Sequence, residues 1–144
     1  MRVLIADDDA GVRKALHHVI VAHQGWTVCG EAVDGCDAVE QAKHCQPELV
    51  VLDFAMPVMN GLGAATRISQ MLPAVPIVMY TLYESPQLHV EAKKCGVTHV
   101  VSKADAELLI VALEAITEAS LSKQDDATAL PAAAEDDGSR QQRA

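Results

Sequence analysis

Seven polar residues close the short aliphatic runs of this sequence. Asp7, Asp8 and Asp9 follow VLIA at 3–6, Asp53 ends LVVLD at 49–53, Thr81 ends IVMYT at 77–81, and Ser102 and Lys103 end THVVSK at 98–103. Carboxylates gathered at one point repel one another unless a cation offsets them, so Asp7, Asp8 and Asp53 imply a metal. Oxygen-only ligands with no His or Cys set beside them favour a hard ion, Mg²⁺ above all. A cation beside Asp53, with the Lys103 ammonium and the Thr81 hydroxyl opposite, suits an incoming phosphoryl group, and Asp53 is placed to act as its nucleophile and form an acyl phosphate. Each residue taken singly has a plainer explanation: an Asp after a strand is commonly a turn former or helix N-cap, a lone lysine is usually solvated, and a lone threonine often ends a strand. What lifts the set above that reading is that the right residue types end several runs together.

The runs themselves predict the framework that must position these groups. TVCGE at 27–31 completes a set of five, and several are apolar at every position, which suits strands covered on both faces of a parallel sheet. Between them lie stretches of helical spacing, such as Val12, Leu16, Val19 and Ile20, then Ala38, Val39 and Ala42, and finally Leu108, Val111, Leu113 and Ile116. Asp34, Asn60, Ser85 and Asp105 stand where N-caps are wanted, and Gly25 and Gly96 where the first and fourth helices should stop. Strand and helix alternate five times, which predicts a doubly wound α/β sheet with right-handed crossovers. In such a sheet the ligand crevice lies outside the carboxyl ends of the strands, where the seven polar residues fall.

Composition narrows the function classes. The chain has 144 residues, half of them apolar and 3% aromatic, enough for one domain with an aliphatic core. Its formal charge of −9 opposes the phosphate backbone of a nucleic acid, so this chain alone is expected to bind none. No run of about eighteen apolar residues suggests a membrane span, and MRVLIADDD turns acidic too soon for a signal peptide; a cytoplasmic location is expected. Cys29, Cys36, Cys45 and Cys95 form no CxxC pair and no zinc spacing, and read as reduced, mostly packed thiols. The domain is expected over residues 1–122, with fifteen acids against eight bases, and a disordered acidic, Ala-rich tail over 123–144, with five against three.

The combination closely resembles the receiver domain of bacterial two-component response regulators over residues 1 to about 120. It rests on VLIADDDAGVR with its acidic pair, on VVLDFAMPVMNG, where Pro57 follows Asp53 by four residues, on IVMYT, on VVSK, and on the spacing from Thr81 to Lys103. The resemblance implies a flavodoxin-like five-stranded parallel sheet of order 2-1-3-4-5 with five helices. It implies that Asp53 accepts a phosphoryl group from a histidine kinase or a phosphotransfer protein. It further implies that Asp8 and Asp53 bind Mg²⁺ directly, Asp7 through water, and that the backbone carbonyl of Ala55 completes the metal's sphere. Thr81 would hydrogen-bond the phosphoryl oxygens and Lys103 would pair with them. Asp9 matches a variable position and receives no role.

Departures from the family are informative. Val100 stands where receivers commonly carry a Tyr or Phe that turns during switching, with His99, Tyr80 and Tyr83 as the aromatic groups nearby. Leu82 stands where a small residue usually leaves the site open. Ala55 and Tyr83 occupy positions that can orient an attacking water and offer neither carboxylate nor amide, so slow self-hydrolysis of the phosphoaspartate is expected. Lys103-Ala104-Asp105 and GEAVDGCDAVEQAK are similar to receivers of the NarL/FixJ type, yet the 22 residues after Ser122 are too few and too acidic for their helix-turn-helix output domain. The expected function is thus a phosphorylation-dependent switch and not an enzyme with a separate substrate, although it can promote its own phosphorylation and dephosphorylation. It would signal to a downstream protein effector, or by self-association, through the surface of the fourth helix, fifth strand and fifth helix. Alternatives are a receiver belonging to a DNA-binding regulator and a receiver-like adaptor that is never phosphorylated. A haloacid-dehalogenase type of hydrolase fits poorly, because its DxDx(T/V) frame would place Gly11 where Thr or Val belongs.

Overall fold

The computed structural model describes residues 1–119. In chain order the elements are β1 (Arg2–Ala6), α1 (Ala10–Ala22), β2 (Thr27–Ala32), α2 (Gly35–Cys45), β3 (Leu49–Leu52), α3 (Gly61–Met71), β4 (Ile77–Thr81), α4 (Pro86–Lys94) and β5 (His99–Ser102). A fifth helix, α5, is described over 106–119. Residues 1–109 make one compact unit that contains the whole sheet. The tail expected over residues 123–144 lies outside the described residues.

All pairings are parallel and the order is β2-β1-β3-β4-β5, as the resemblance implies. The strands sort by burial in the way their composition requires. Every residue of β3 and β4 is buried, and so is β1 after Arg2, whereas in the edge strand β2 every residue but Ala32 is half-buried or exposed. Branched aliphatic side chains fill both faces of the inner strands, which is why those runs show no alternation. Small residues let α2 and α3 approach the sheet closely: Ala38, Ala42, Ala64 and Ala65 are fully buried in one cluster with Leu4, Leu52 and Ile68.

All four expected caps form. Asp34, Asn60 and Ser85 accept backbone N–H bonds from Asp37, Gly63 and Leu88 at the starts of α2, α3 and α4, and Asp105 Oδ1 accepts from Leu108 N–H at the start of α5. Gly25 and Gly96 take φ of +86° and +94° just past α1 and α4, a region glycine enters without steric cost. The expected helix faces need correction at three positions. Val19 is exposed on α1, and on α5 Leu108 and Val111 are exposed while Leu109 and Leu113 are buried. The buried series on α5 is Leu109, Ala112, Leu113 and Ile116, a 3/4 spacing in which Leu108 and Val111 fall one step off the stripe. The cysteines are free thiols and mostly packed, as expected: Cys29, Cys45 and Cys95 are half-buried against the core cluster, and Cys36 is exposed.

Candidate functional site

The site lies where β1, β3, β4 and β5 end. Asp53 N–H donates to the Ala6 carbonyl at 3.0 Å and Lys103 N–H to the Thr81 carbonyl at 2.8 Å. These bonds extend the ladder by one residue past the strands, so the side chains that follow keep the register of the sheet. The parallel order puts β1 beside β3 and β3 beside β4, with β5 next. Residues 46 to 96 positions apart in sequence therefore meet at one edge.

Asp7 and Asp53 are buried, Asp8 is exposed, and Thr81 is fully buried. The Lys103 ammonium donates to Asp7 Oδ2 at 2.7 Å and to Asp53 Oδ2 at 3.1 Å. Carboxylate oxygens of Asp7, Asp8 and Asp53 lie within 4.8 Å of one another. Of these three clustered carboxylates, the Lys103 ammonium bonds two, Asp7 and Asp53. Asp53 Oδ1 is buried without any hydrogen-bond partner, a condition that ordinarily costs a buried oxygen about 1–3 kcal/mol. A cluster short of positive charge, with an orphaned acidic oxygen inside it, fits a bound cation.

The titration of this cluster follows from burial and charge together. Burial pushes the Asp7 carboxyl up, and its bonds to Lys103 and to the Asp9 N–H pull it only part of the way back. Burial works against the Lys103 ammonium, yet hydrogen bonds and charge from Asp7 and Asp53 outweigh it and raise its pKa. Lysine is therefore held charged in the site.

The other expected residues fall nearby. Ala55 is half-buried two residues past Asp53 in the β3–α3 loop. The Thr81 hydroxyl oxygen accepts the Tyr83 N–H at 3.2 Å, and Tyr83 packs edge-on against Phe54 with ring centroids 6.3 Å apart. Leu82 is 70% exposed beside them, so its bulk lies out toward solvent. Asp9 is the N-cap of α1, accepting from Gly11 and Val12 N–H, so the third acid of the triplet has a structural duty.

Two contributors were not legible in the sequence. Arg13 of α1 turns inward, donating to the Asp7 carbonyl at 2.7 Å and pairing with Glu31 of β2 at 3.6 Å. It braces the loop that carries the acidic pair. Val58 adopts φ +70° in the β3–α3 loop, between Pro57 and Gly61. A β-branched residue there costs on the order of 1–3 kcal/mol. Only the pairing of α1 with β2 could have revealed Arg13, and nothing local marks Val58.

Gly61 is a case where a close approach requires glycine. A Cβ at this first residue of α3 would overlap the carbonyl oxygen of Asp53, and its N–H donates to the Phe54 carbonyl at 2.7 Å. Gly61→Ala is therefore expected to destabilise the fold by about 1–3 kcal/mol through overpacking and to displace the Asp53 backbone. Urea unfolding reads the first effect and the rate of Asp53 modification the second; an unchanged midpoint would show that the loop yields freely.

Comparison with known proteins places this geometry. The sequence model of the response regulator receiver domain matches residues 3–114. The chemotaxis protein CheY of Thermotoga maritima is 36% identical over 102 residues, which cover 71% of this chain and 84% of that protein. A protein-glutamate methylesterase/protein-glutamine glutaminase of Pyrococcus abyssi is 37% identical over 112 residues, covering 76% of this chain. The chain spans only 30% of that enzyme's length. Among solved structures, the response regulator domain of Thermotoga maritima CheB matches with a TM-score of 0.73 at 27% identity, covering 79% of this chain and 93% of that one. A LuxR-family two-component response regulator from Aurantimonas sp. SI85-9A1 matches with a TM-score of 0.76 at 29% identity, covering 80% and 83%.

Proposed function

Because the chain belongs to the response regulator receiver domain family, we propose that it is a phosphorylation-dependent signalling switch in which Asp53 accepts a phosphoryl group from the phosphohistidine of a histidine kinase or phosphotransfer protein. An Asp53 carboxylate oxygen attacks phosphorus, a P–O bond forms, and the P–N bond breaks. The electron pair returns to the donor's imidazole, which takes up a proton. The observation that carries this reading is the buried Asp53 carboxylate with Oδ1 unpartnered and Oδ2 held by Lys103.

The chain's own residues divide the work. Lys103 stays charged and fixes the Asp53 carboxylate; after transfer its ammonium pairs with the phosphoryl oxygens. The Thr81 hydroxyl, now accepting from Tyr83, turns to donate to them. Asp8, Asp53 and the Ala55 carbonyl would hold Mg²⁺ directly, and Asp7 would support it through water. When bound, the ion offsets the charge of the carboxylates and of the incoming phosphoryl group. The protein is not an enzyme with a separate substrate; its catalysis is confined to gaining and losing its own phosphate.

Phosphate contacts then stabilise one of two conformations, and a partner protein or a second copy reads the difference. The α4 and β5 surface is suited to this. An open groove of about 480 Å³ there is lined by His89, Lys93, Val97, Thr98, His99 and Val100. Val100 lies in that groove in place of a switching ring, so the aromatic groups nearest Thr81 are the buried Tyr80 and the exposed Tyr83. No helix among the described residues is long and apolar enough to cross a membrane, and a cytoplasmic site of action accords with a cytoplasmic phosphodonor. The likeness to the LuxR-family regulator favours a second reading, a receiver that works with a DNA-binding output domain; mapping the full gene separates the two.

The test is incubation with acetyl phosphate, or with beryllofluoride, in Mg²⁺, followed by intact mass and near-ultraviolet spectroscopy. A phosphate-dependent mass gain on Asp53 supports the switch. No response, with a cognate kinase also failing, would leave the chain a non-phosphorylated adaptor. Once formed, the phosphoaspartate is expected to persist for minutes or longer in Mg²⁺, since Ala55 and Tyr83 supply neither a carboxylate nor an amide to orient water. Phosphate release followed over time checks this, and decay within seconds would refute it.

A further inference from the structure

Cys29 and Cys45 are separated by fifteen residues in the chain, one in β2 and the other the last residue of α2. Their sulfurs nonetheless lie 3.0 Å apart, about 1 Å beyond the length of an S–S bond. We propose that these two residues form a dithiol site that a small-molecule disulfide of the glutathione class oxidises to an intrachain disulfide.

The surroundings suit such an exchange. Both residues are half-buried, at the margin of the core cluster, so a reagent can reach the pair. Gly30, next to Cys29 in β2, faces α2: a Cβ there would overlap the Gln41 side-chain oxygen and stand at ordinary contact distance, 3.5 Å, from the Cys45 sulfur, so β2 packs closely against α2 here. Cys36, the exposed thiol on the same helix, is nine residues before Cys45, or about 13 Å along the axis, and cannot substitute for Cys29.

The order of steps follows from the thiols. Burial and the hydrogen bond to Cys45 push the Cys29 thiol up to about 12, so Cys29 is protonated in the resting protein and does not attack first. The Cys45 thiolate attacks one sulfur of the small disulfide, forming a mixed disulfide and releasing one small thiolate, which takes up a proton. Cys45 then no longer holds its partner protonated. Cys29 loses its proton to solvent, its sulfur attacks that of Cys45, the Cys29–Cys45 bond forms, and the second small thiol leaves. Two protein thiols are oxidised and one small disulfide is reduced to two thiols.

The experiment uses the full chain carrying Cys36→Ser, equilibrated with mixtures of reduced and oxidised glutathione. Trypsin cleaves after Lys14, Lys43 and Arg67, placing Cys29 in peptide 15–43 and Cys45 in peptide 44–67. The expected result is loss of two hydrogens from the intact mass, those two peptides joined, and a urea midpoint that rises and returns with dithiothreitol, because the closed loop restricts the unfolded chain. Cys45→Ser, checked for folding by circular dichroism, should show no joined peptides. An unmodified protein, or a glutathione adduct on Cys45 that persists without the cross-link, would overturn the proposal.

Discussion

Asp53→Asn is expected to abolish phosphate incorporation from acetyl phosphate while making the metal-free protein more stable, by about 1 kcal/mol. The two effects have one origin. Asp53 brings a third carboxylate beside Asp7 and Asp8, where the Lys103 ammonium bonds only Asp7 and Asp53 and where the buried Asp53 Oδ1 has no partner. Removing one negative charge relieves repulsion, and an amide still leaves an oxygen for Lys103 to bond. The function needs that charge, because it is the nucleophile. Mg²⁺ should invert the ranking: an ion at a hundred times its dissociation constant stabilises the parent by about 2.7 kcal/mol, and the variant should gain far less. Thermal unfolding with and without Mg²⁺ reads both signs. Lower stability of the metal-free variant would mean that the cluster is balanced without a cation, and the metal site would lose its support.

Lys103→Met is expected to act in the opposite direction. The ammonium is nearly enclosed, with its side chain 11% exposed, and removing it leaves Asp7 and Asp53 facing each other in the interior without a counter-charge. Breaking a buried pair by deleting one partner typically costs about 3–5 kcal/mol, and the lower end suits a pocket with exposed Asp8 at its mouth. Added Mg²⁺ should recover part of the loss, since a cation among the carboxylates does the electrostatic work of the lysine. Methionine keeps most of the stem's volume, so the loss reports charge and not packing. Urea midpoints in chelator and in Mg²⁺ make the measurement; a loss below about 1 kcal/mol in chelator, or no recovery with Mg²⁺, would show that Lys103 does not hold the acids together.

Asp7, Asp53, Thr81 and Lys103 are legible in the sequence itself. Asp7, Asp53 and Thr81 are each the first charged or hydroxyl-bearing aliphatic residue after an apolar run, Lys103 follows Ser102 at the end of another, and a parallel sheet brings such run ends to one edge. Asp34, Asn60, Ser85 and Gly96 were readable for a similar reason, because caps and left-handed turns act through the backbone within a few residues. The face of α5 was not. Leu108, Leu109, Val111 and Leu113 are all apolar, and period alone does not choose between stripes one residue apart.

By itself, then, the sequence determined the strand and helix order, the edge at which the acids gather, and the identity of the charged groups, since these depend on local pattern and on the rule that parallel strands need crossovers. Tertiary structure decided what depends on distance between remote segments. It set the division of one Lys103 ammonium between two carboxylates, the inward turn of Arg13 onto the Asp7 carbonyl, and the approach of α3 to the Asp53 backbone at Gly61. It also brought the Cys29 and Cys45 sulfurs to 3.0 Å. A cysteine spacing carries no pairing signal until a strand and the end of the following helix are packed together, because proximity is a property of packing and not of the chain.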